Sequence, residues 1–347
     1  MDAVAALNEI AFWLERGRAA TFKVQAFRKA AAAISPLPAE EVAERTRTGR
    51  LKSMKGIGDR TYQVIQQAVA GGVPDYLADL REKGAQPLAT GGSELRSALR
   101  GDLHSHSDWS DGGSPIELMV AAAWVLGREY LALTDHSPNL TIANGLSAER
   151  LTRQLDVVAA INADGQAGSK GQPEGKVRLL TGIEVDILES GELDQDPELL
   201  DRLDIVVSSV HSKLRADRKT MTRRMLGGIQ ARHTNVLGHC TGRLVEGSRG
   251  TRPPSEFDAR EVFAACAENN VAVEINSRPE RQDPPDPLIQ LALEAGCLFS
   301  IDSDAHAPGQ LDFLQYGAER AARNDVPQDR IITTWPVERL LEWAAAK

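Results

Sequence analysis

The stretch 101-GDLHSHSDWSDGG-113 ends a short apolar run with two histidines two residues apart, followed by a Ser-Asp-Gly turn. Side chains alternate along an extended backbone, so His104 and His106 point to the same side. Two imidazoles on one side form a ready chelate, although surface and capping histidines also occur in pairs of this kind. The carboxylates of Asp108 and Asp111 both lie within reach of the turn after the strand.

Outward from this stretch, the periodicity differs on the two sides. Before it, residues 1–83 read as helical: Leu7, Ile10, Ala11 and Leu14 make one apolar face, and Phe22, Ala26, Ala30 and Ala33 another. Pro36 and Pro38 interrupt the pattern, Glu40 to Leu51 resumes it, and Thr61 to Ala70 follows a tight turn. Residues 84–97 have the Gly, Pro and Ser content of a linker. After it, 98–347 alternates short apolar runs with helical segments. With 102-DLH, the runs 130-YLALT, 178-RLLTGIEVDI, 204-DIVVSSV, 235-NVLG, 271-VAVEI and 298-LFSI give seven strand candidates. Pro115–Leu126, Ala148–Ile161 and Glu256–Asn269 are predicted helices between them. The alternation predicts an α/β fold with parallel strands, either doubly wound or closed into a barrel. The glycine-rich segment 162–176 reads as a mobile loop.

The rare residues follow these strands. Of the seven histidines, six stand at or just past a strand's C-terminal end: His104, His106, His136, His211, His239 and His306. Parallel α/β folds build their active sites at that end. Asp111, Glu184 and Asp304 join them there. Imidazoles and carboxylates without thiolates describe a catalytic site for zinc, manganese or iron, and nine such groups suit two or three ions rather than one. Metals a few ångströms apart clamp a phosphoryl group. Asp135 and Asp302 read as orienting partners or strand-end caps, and His233 as a surface residue.

The 347 residues are 42% hydrophobic and 26% charged, enough to bury a sizeable core. Net charge is -9, yet Arg16 to Arg60 holds eleven Lys or Arg against four acids. This asymmetry predicts two domains with different partners. Cys240, Cys266 and Cys297 are odd in number and lack C-x-x-C spacing, which excludes a disulfide framework and suggests a cytoplasmic location. No signal peptide is read at the N-terminus, and no apolar run approaches membrane-spanning length. Oligomeric state is not readable.

Taken in order, H-S-H with S-D-G, T-D-H, G-I-E, V-H-S, G-H and S-D-A-H resemble the motifs of the PHP (polymerase and histidinol phosphatase) family of metal-dependent phosphoesterases, over residues 98–347. The resemblance implies a distorted (β/α)7 barrel with a trinuclear site. Carried over motif by motif, His104, His106, Glu184 and Asp304 would hold a first ion. Glu184 would bridge to a second, also held by His211 and His239; Asp111, His136 and His306 would hold a third. The segments FKVQAFRKAAAAI and GRLKSMKGIGDRTYQVIQQA are similar to the N-terminal domain of bacterial family X DNA polymerases, an all-α helix-hairpin-helix domain. Gly56 and Gly58 would form its hairpin, and Lys52, Lys55 and Arg60 its counter-charge toward DNA. Such polymerases carry a catalytic palm between the two parts. Here only the linker stands between them, which excludes polymerisation.

The resulting expectation is a nuclease that processes DNA ends or abasic sites in repair, gripping backbone phosphate without reading sequence. Lys213, Arg243, Asn276 and Arg281 are candidates for contact with the phosphate substrate. A small-molecule phosphomonoesterase of histidinol-phosphatase type is the alternative, but such a substrate leaves the basic domain without a purpose.

Overall fold

A computed structural model describes residues 1–164, 177–247 and 250–346. Of the 162–176 segment, residues 162–164 close a helix and the rest lies outside the described residues. The chain divides into two compact units, Met1–Pro87 and Leu88–Lys347, with the division inside the stretch read as a linker. Within the second unit, Ser93–Ala98 is a short helix.

The first unit is helical: α1 (Ala3–Arg16), α2 (Thr21–Ile34), α3 (Ala39–Arg47), α4 (Asp59–Val69) and α5 (Asp75–Gly84), with a 3-10 turn at Arg50–Ser53. Asp2 caps α1 by accepting from the Ala5 amide at 2.7 Å. The α1 face expected from Leu7, Ile10, Ala11 and Leu14 is buried. The α2 face is not the expected one. Phe22 is 73% exposed, and Val24, Phe27, Ala30, Ala31 and Ile34 go inward. Two apolar stripes overlap on this helix, and the stripe with Val24, Phe27 and Ile34 removes more apolar area from water. The core continues through Leu51, Ile65 and Leu77.

In the second unit, all seven expected strands form: β1 (Gly101–Asp102), β2 (Tyr130–Leu133), β3 (Arg178–Asp186), β4 (Ile205–Ser209), β5 (Val236–Leu237), β6 (Ala272–Asn276) and β7 (Phe299–Asp302). They pair in sequence order, each parallel to the next. Just past the strands, Ser105 bridges Ala305 and the His106 amide donates to the Ala305 carbonyl at 2.8 Å, nearly closing the barrel. Parallel neighbours require crossovers, and these supply helices such as Ile116–Val125, Ala148–Asp164 and Ala259–Glu268. Because helices cover the strands, β2, β4, β6 and β7 are buried at every position, the pattern of a continuous apolar run rather than of an alternating one. No helix among the described residues is long and apolar enough to cross a membrane, and the three cysteines are buried thiols.

Barrel closure leaves no room at the start of β1. A Cβ on Gly101 would lie 2.0 Å from the Tyr130 ring. Tyr130 is fully buried and its hydroxyl donates to the Trp335 carbonyl at 3.1 Å, so the ring has nowhere to go. Gly101→Ala is expected to destabilise the barrel by about 1–3 kcal/mol, the usual cost of overpacking, read as a lowered midpoint in thermal or urea unfolding. An unchanged midpoint would show that the β1–β2 junction relaxes freely.

Candidate metal centre

The strand ends bring all nine sequence-predicted ligands together. His104 and His106 follow β1, His136 follows β2, Glu184 is within β3, and His211, His239 and the Asp304/His306 pair follow β4, β5 and β7. Glu184 is 1% exposed and central. Its Oε2 lies 2.9 Å from His136 Nδ1, 3.2 Å from His104 Nε2 and 3.5 Å from His106 Nε2; its Oε1 lies 2.8 Å from His239 Nε2 and 3.1 Å from His211 Nε2. Asp304 Oδ1 is 3.4 Å from His106 Nε2. Asp111 Oδ1 is 3.3 Å from His306 and 3.5 Å from His136. Asp111, not Asp108, is therefore the turn carboxylate that faces the imidazoles.

Potential ligand atoms within 4.8 Å of one another fall into four overlapping groups: His106, Asp111, His136 and His306; His104, Glu184 and His239; His104, His106 and Asp304; and His136, Glu184 and His211. Glu184, His104, His106 and His136 each belong to two groups, so neighbouring positions share donors.

The protonation pattern is that of a site arranged around positive charge. Burial alone would raise the Glu184 carboxyl, but the imidazoles of His104, His211 and His136 hold it well below the usual carboxylate range. Asp304 is likewise held low against its burial by Arg281 and His104. Burial would lower His104 and His211; Glu184 and Glu274 instead raise the first well above its usual value, and Glu184 and Asp186 bring the second up to about 9. Burial, with His306 and His136 nearby, pushes His106 down to about 3. His104 Nε2, both His106 nitrogens, His136 Nδ1, His211 Nε2, His239 Nδ1 and Glu184 Oε2 are buried without a hydrogen bond. An unsatisfied buried polar atom costs about 1–3 kcal/mol. Five of these, Nε2 of His104, His106 and His211, Nδ1 of His136 and Oε2 of Glu184, converge on one space and are what divalent cations would complete, so the residues fit such ions.

A surrounding shell fixes the imidazoles. Glu274 Oε1 lies 2.6 Å from His104 Nδ1, and its other oxygen accepts from the His239 amide. Asp186 holds His211 at Nδ1. A carboxylate on the far nitrogen sets which nitrogen faces the metal and raises its basicity. Sequence reasoning missed both acids, although Glu184/Asp186 and Glu274/Asn276 share the period-2 spacing that places them on one side of a buried strand. Asn276 is fully buried and donates to Asp304 Oδ2 at 3.1 Å, and Arg281 donates to the same oxygen at 2.9 Å. Arg278 reaches the Asp304 carbonyl at 3.2 Å. Arg243 instead donates to the carbonyls of Arg281 and Gln282, bracing that loop. Lys213 is exposed on the His211 loop at a φ of 52°. Asp304 also has a positive φ, 50°, a conformation costly for a non-glycine residue and common at functional sites. Asp135 accepts from the Ser107 amide and hydroxyl at 2.8 and 2.6 Å, and Asp302 from the Leu103 amide at 2.9 Å. Both hold the first loop's backbone and touch no imidazole. His233 pairs with Asp201 at 2.8 Å.

In the first unit, Lys52, Lys55, Gly56, Gly58 and Arg60 are all exposed around the turn that enters α4. Gly56 has φ +96° and requires glycine; Gly58, at φ -107°, does not. The Gly58 amide donates to Thr61 Oγ1 at 2.9 Å, opening α4 with its first-turn N–H groups toward solvent. Lys52 stacks over Tyr62 and Arg60 over Tyr76, at 4.9 and 5.2 Å from the ring centroids.

Two outcomes follow from the shell. Chelator treatment should lower the melting temperature of the barrel, and manganese or zinc should restore it, because ions that bind only the folded chain stabilise it. Glu274→Gln should keep the fold but weaken metal affinity about 10–100-fold, measured by competition with a chromogenic chelator. Unchanged affinity would remove Glu274 from the site.

Residues 102–278 match the PHP domain model, and residues 1–74 a helix-hairpin-helix domain model. The chain is 34% identical over 256 residues to the DNA polymerase/3'-5' exonuclease PolX of Bacillus subtilis (strain 168), an alignment covering 73% of this chain and 42% of that polymerase. It is 27% identical over 260 residues to a Shewanella halifaxensis protein named "Probable phosphatase", covering 71% of this chain and 92% of that one. A crystal structure of histidinol phosphate phosphatase from Lactococcus lactis, complexed with zinc, L-histidinol and phosphate, aligns with a TM-score of 0.42 and 17% identity over 71% of this chain and 94% of the other. With the family model matching residues 102–278 and every motif histidine of that span gathered on Glu184, the chain belongs to the PHP domain family of metal-dependent phosphoesterases, with a helix-hairpin-helix domain at its N-terminal end.

Proposed function

We propose that this protein is a repair nuclease, hydrolysing phosphodiester bonds at DNA 3' ends or abasic sites. The observation that carries this reading is the presence, on one chain, of a phosphoesterase site and a helix-hairpin-helix unit with an exposed basic turn. Two or three manganese, zinc or iron ions would be held by His104, His106, Glu184 and Asp304, by Glu184, His211 and His239, and by Asp111, His136 and His306. When bound, they supply Lewis-acid activation of water and of the phosphoryl oxygens.

The chain's own residues have defined tasks. The first-turn amides of α4, the close backbone approach permitted at Gly56, and Lys52, Lys55 and Arg60 grip backbone phosphate independently of sequence. Arg281 and Asn276 hold one oxygen of Asp304 and so aim the other at the cluster. Glu274 and Asp186 keep His104 and His211 from rotating. Lys213, on the loop that carries His211, offers an ammonium toward substrate phosphate.

The decisive comparison uses manganese-loaded protein on a labelled duplex with a recessed or abasic end and, separately, on histidinol phosphate. DNA shortening that His104→Ala abolishes, with duplex affinity falling as salt rises, is the expected result. Turnover of histidinol phosphate alone would assign the site to a small monoester and overturn the nuclease reading.

A further inference from the structure

Residues 88–347 contain 27 basic and 39 acidic residues, yet 213-KLRADRKTMTRR-224 holds six of the basic ones and a single acid. This run begins two residues after His211, within about 7 Å of its Cα by chain length alone. Its acid is engaged locally: Asp217 caps the helix Arg218–Gln230 by accepting from the Thr220 amide at 3.0 Å. One of its arginines is structural. Arg224 is 2% exposed and donates to the Ile187 carbonyl and to the Ser212 carbonyl, each at 2.7 Å, clamping the loop in place. Ser255 holds the Leu214 carbonyl from the other side at 2.9 Å. Fixed in this way, Lys213, Arg215, Arg218, Lys219 and Arg223 are exposed. The Lys213 and Arg215 side chains make no ion pair or hydrogen bond among the described residues, and the Arg218 guanidinium meets only Asp258, at 2.8 Å in an exposed pair. Exposed pairs of that kind contribute little and exchange readily for another anion.

The helix that follows the loop lines a groove of about 830 Å³, whose walls carry Arg218, Lys219 and Arg223, two acids, Asp258 and Glu261, and Ser190. Gly191, at φ +92°, lies against Gly227, and a Cβ on Gly227 would come within 2.8 Å of the Gly191 backbone. The two glycines let the Ser190 loop pack directly on the helix and so fix that wall of the groove.

We infer that the catalytic unit has its own strand-binding track, in which Lys213 and Arg215 and then Arg218, Lys219 and Arg223 neutralise successive phosphates of a single DNA strand extending from the metal centre. The inference rests on the nuclease reading and deepens it: a fixed row of cations beside a phosphoesterase site fits a polyanion and is surplus for a lone phosphate. Contacts of this type are to phosphate, so the track is indifferent to base sequence.

The test uses the full-length chain and single-stranded oligonucleotides from two to twelve nucleotides, comparing wild type with Arg218→Glu/Lys219→Glu and with the conservative Arg218→Lys/Lys219→Arg. In wild type, KM falls as the strand lengthens. In the charge-reversed protein KM for the twelve-mer rises about tenfold with kcat within twofold, the log-log salt slope of KM falls by about 1.4 for two lost contacts, and the length dependence flattens. The conservative protein retains wild-type behaviour. Unchanged KM and salt slope in the charge-reversed protein overturn the track while leaving the nuclease reading intact. Absence of shortening by wild type on every strand overturns the nuclease reading and the track with it. Competition by polyglutamate as strong as by oligodeoxythymidine would assign the strip to acidic polypeptide and overturn the proposal.

Discussion

Glu184 is a carboxylate in the middle of a barrel strand, shut off from water, with imidazole nitrogens of His104, His106, His136, His211 and His239 all within 3.5 Å of its oxygens. A buried anion is tolerated only when its charge is answered. The answer comes from four loops, those after β1, β2, β4 and β5, so the carboxylate ties together elements far apart in the chain. Parallel strands make this possible, because each delivers its following residues to the same end of the barrel. Closure through the Ser105–Ala305 bridge then brings the first histidine pair beside Asp304, some 200 residues later.

The outer hydrogen bonds determine what the inner ring can do. His104 and His211 each have a carboxylate on the nitrogen opposite Glu184, and Asp304 has Asn276 and Arg281 on the oxygen opposite His106. These three donors are thus held from behind, while several buried atoms of the site lack partners in the protein itself. Such an arrangement is preorganised: rotations that would satisfy those atoms internally are blocked, and a divalent cation meets donors already in place. Asp304 itself has a positive φ, the kind of costly backbone conformation that gathers at functional sites.

The two units present different surfaces. The helical unit places its exposed lysines and arginine around a glycine turn and a helix start, the arrangement proposed above to grip backbone phosphate. The barrel unit is acidic on the whole but concentrates positive charge on the His211 loop and the helix after it. Local charge rather than the net value of -9 bears on the partner, because screening in physiological salt confines surface fields to about 8 Å.

The sequence by itself determined the seven strands, their parallel arrangement and the nine central donors. Short apolar runs separated by helices permit few folds, and histidine is rare enough that six placed at strand ends carry information. It also placed the basic turn around Gly56 and Gly58. Three features were decided only in tertiary structure. Which stripe of α2 turns inward depended on the area its neighbours could bury, and Phe22 was left outside. How Asp111, the acid the motif resemblance already picks over Asp108, comes to face the imidazoles depended on the first loop, whose backbone is pinned through Asp135. Glu274, Asp186 and the split between Arg281 and Arg243 depended on contacts between strands and loops distant in sequence. Local periodicity reports which side of a strand a residue occupies, but a hydrogen bond to a histidine 170 residues away exists only once the barrel has closed.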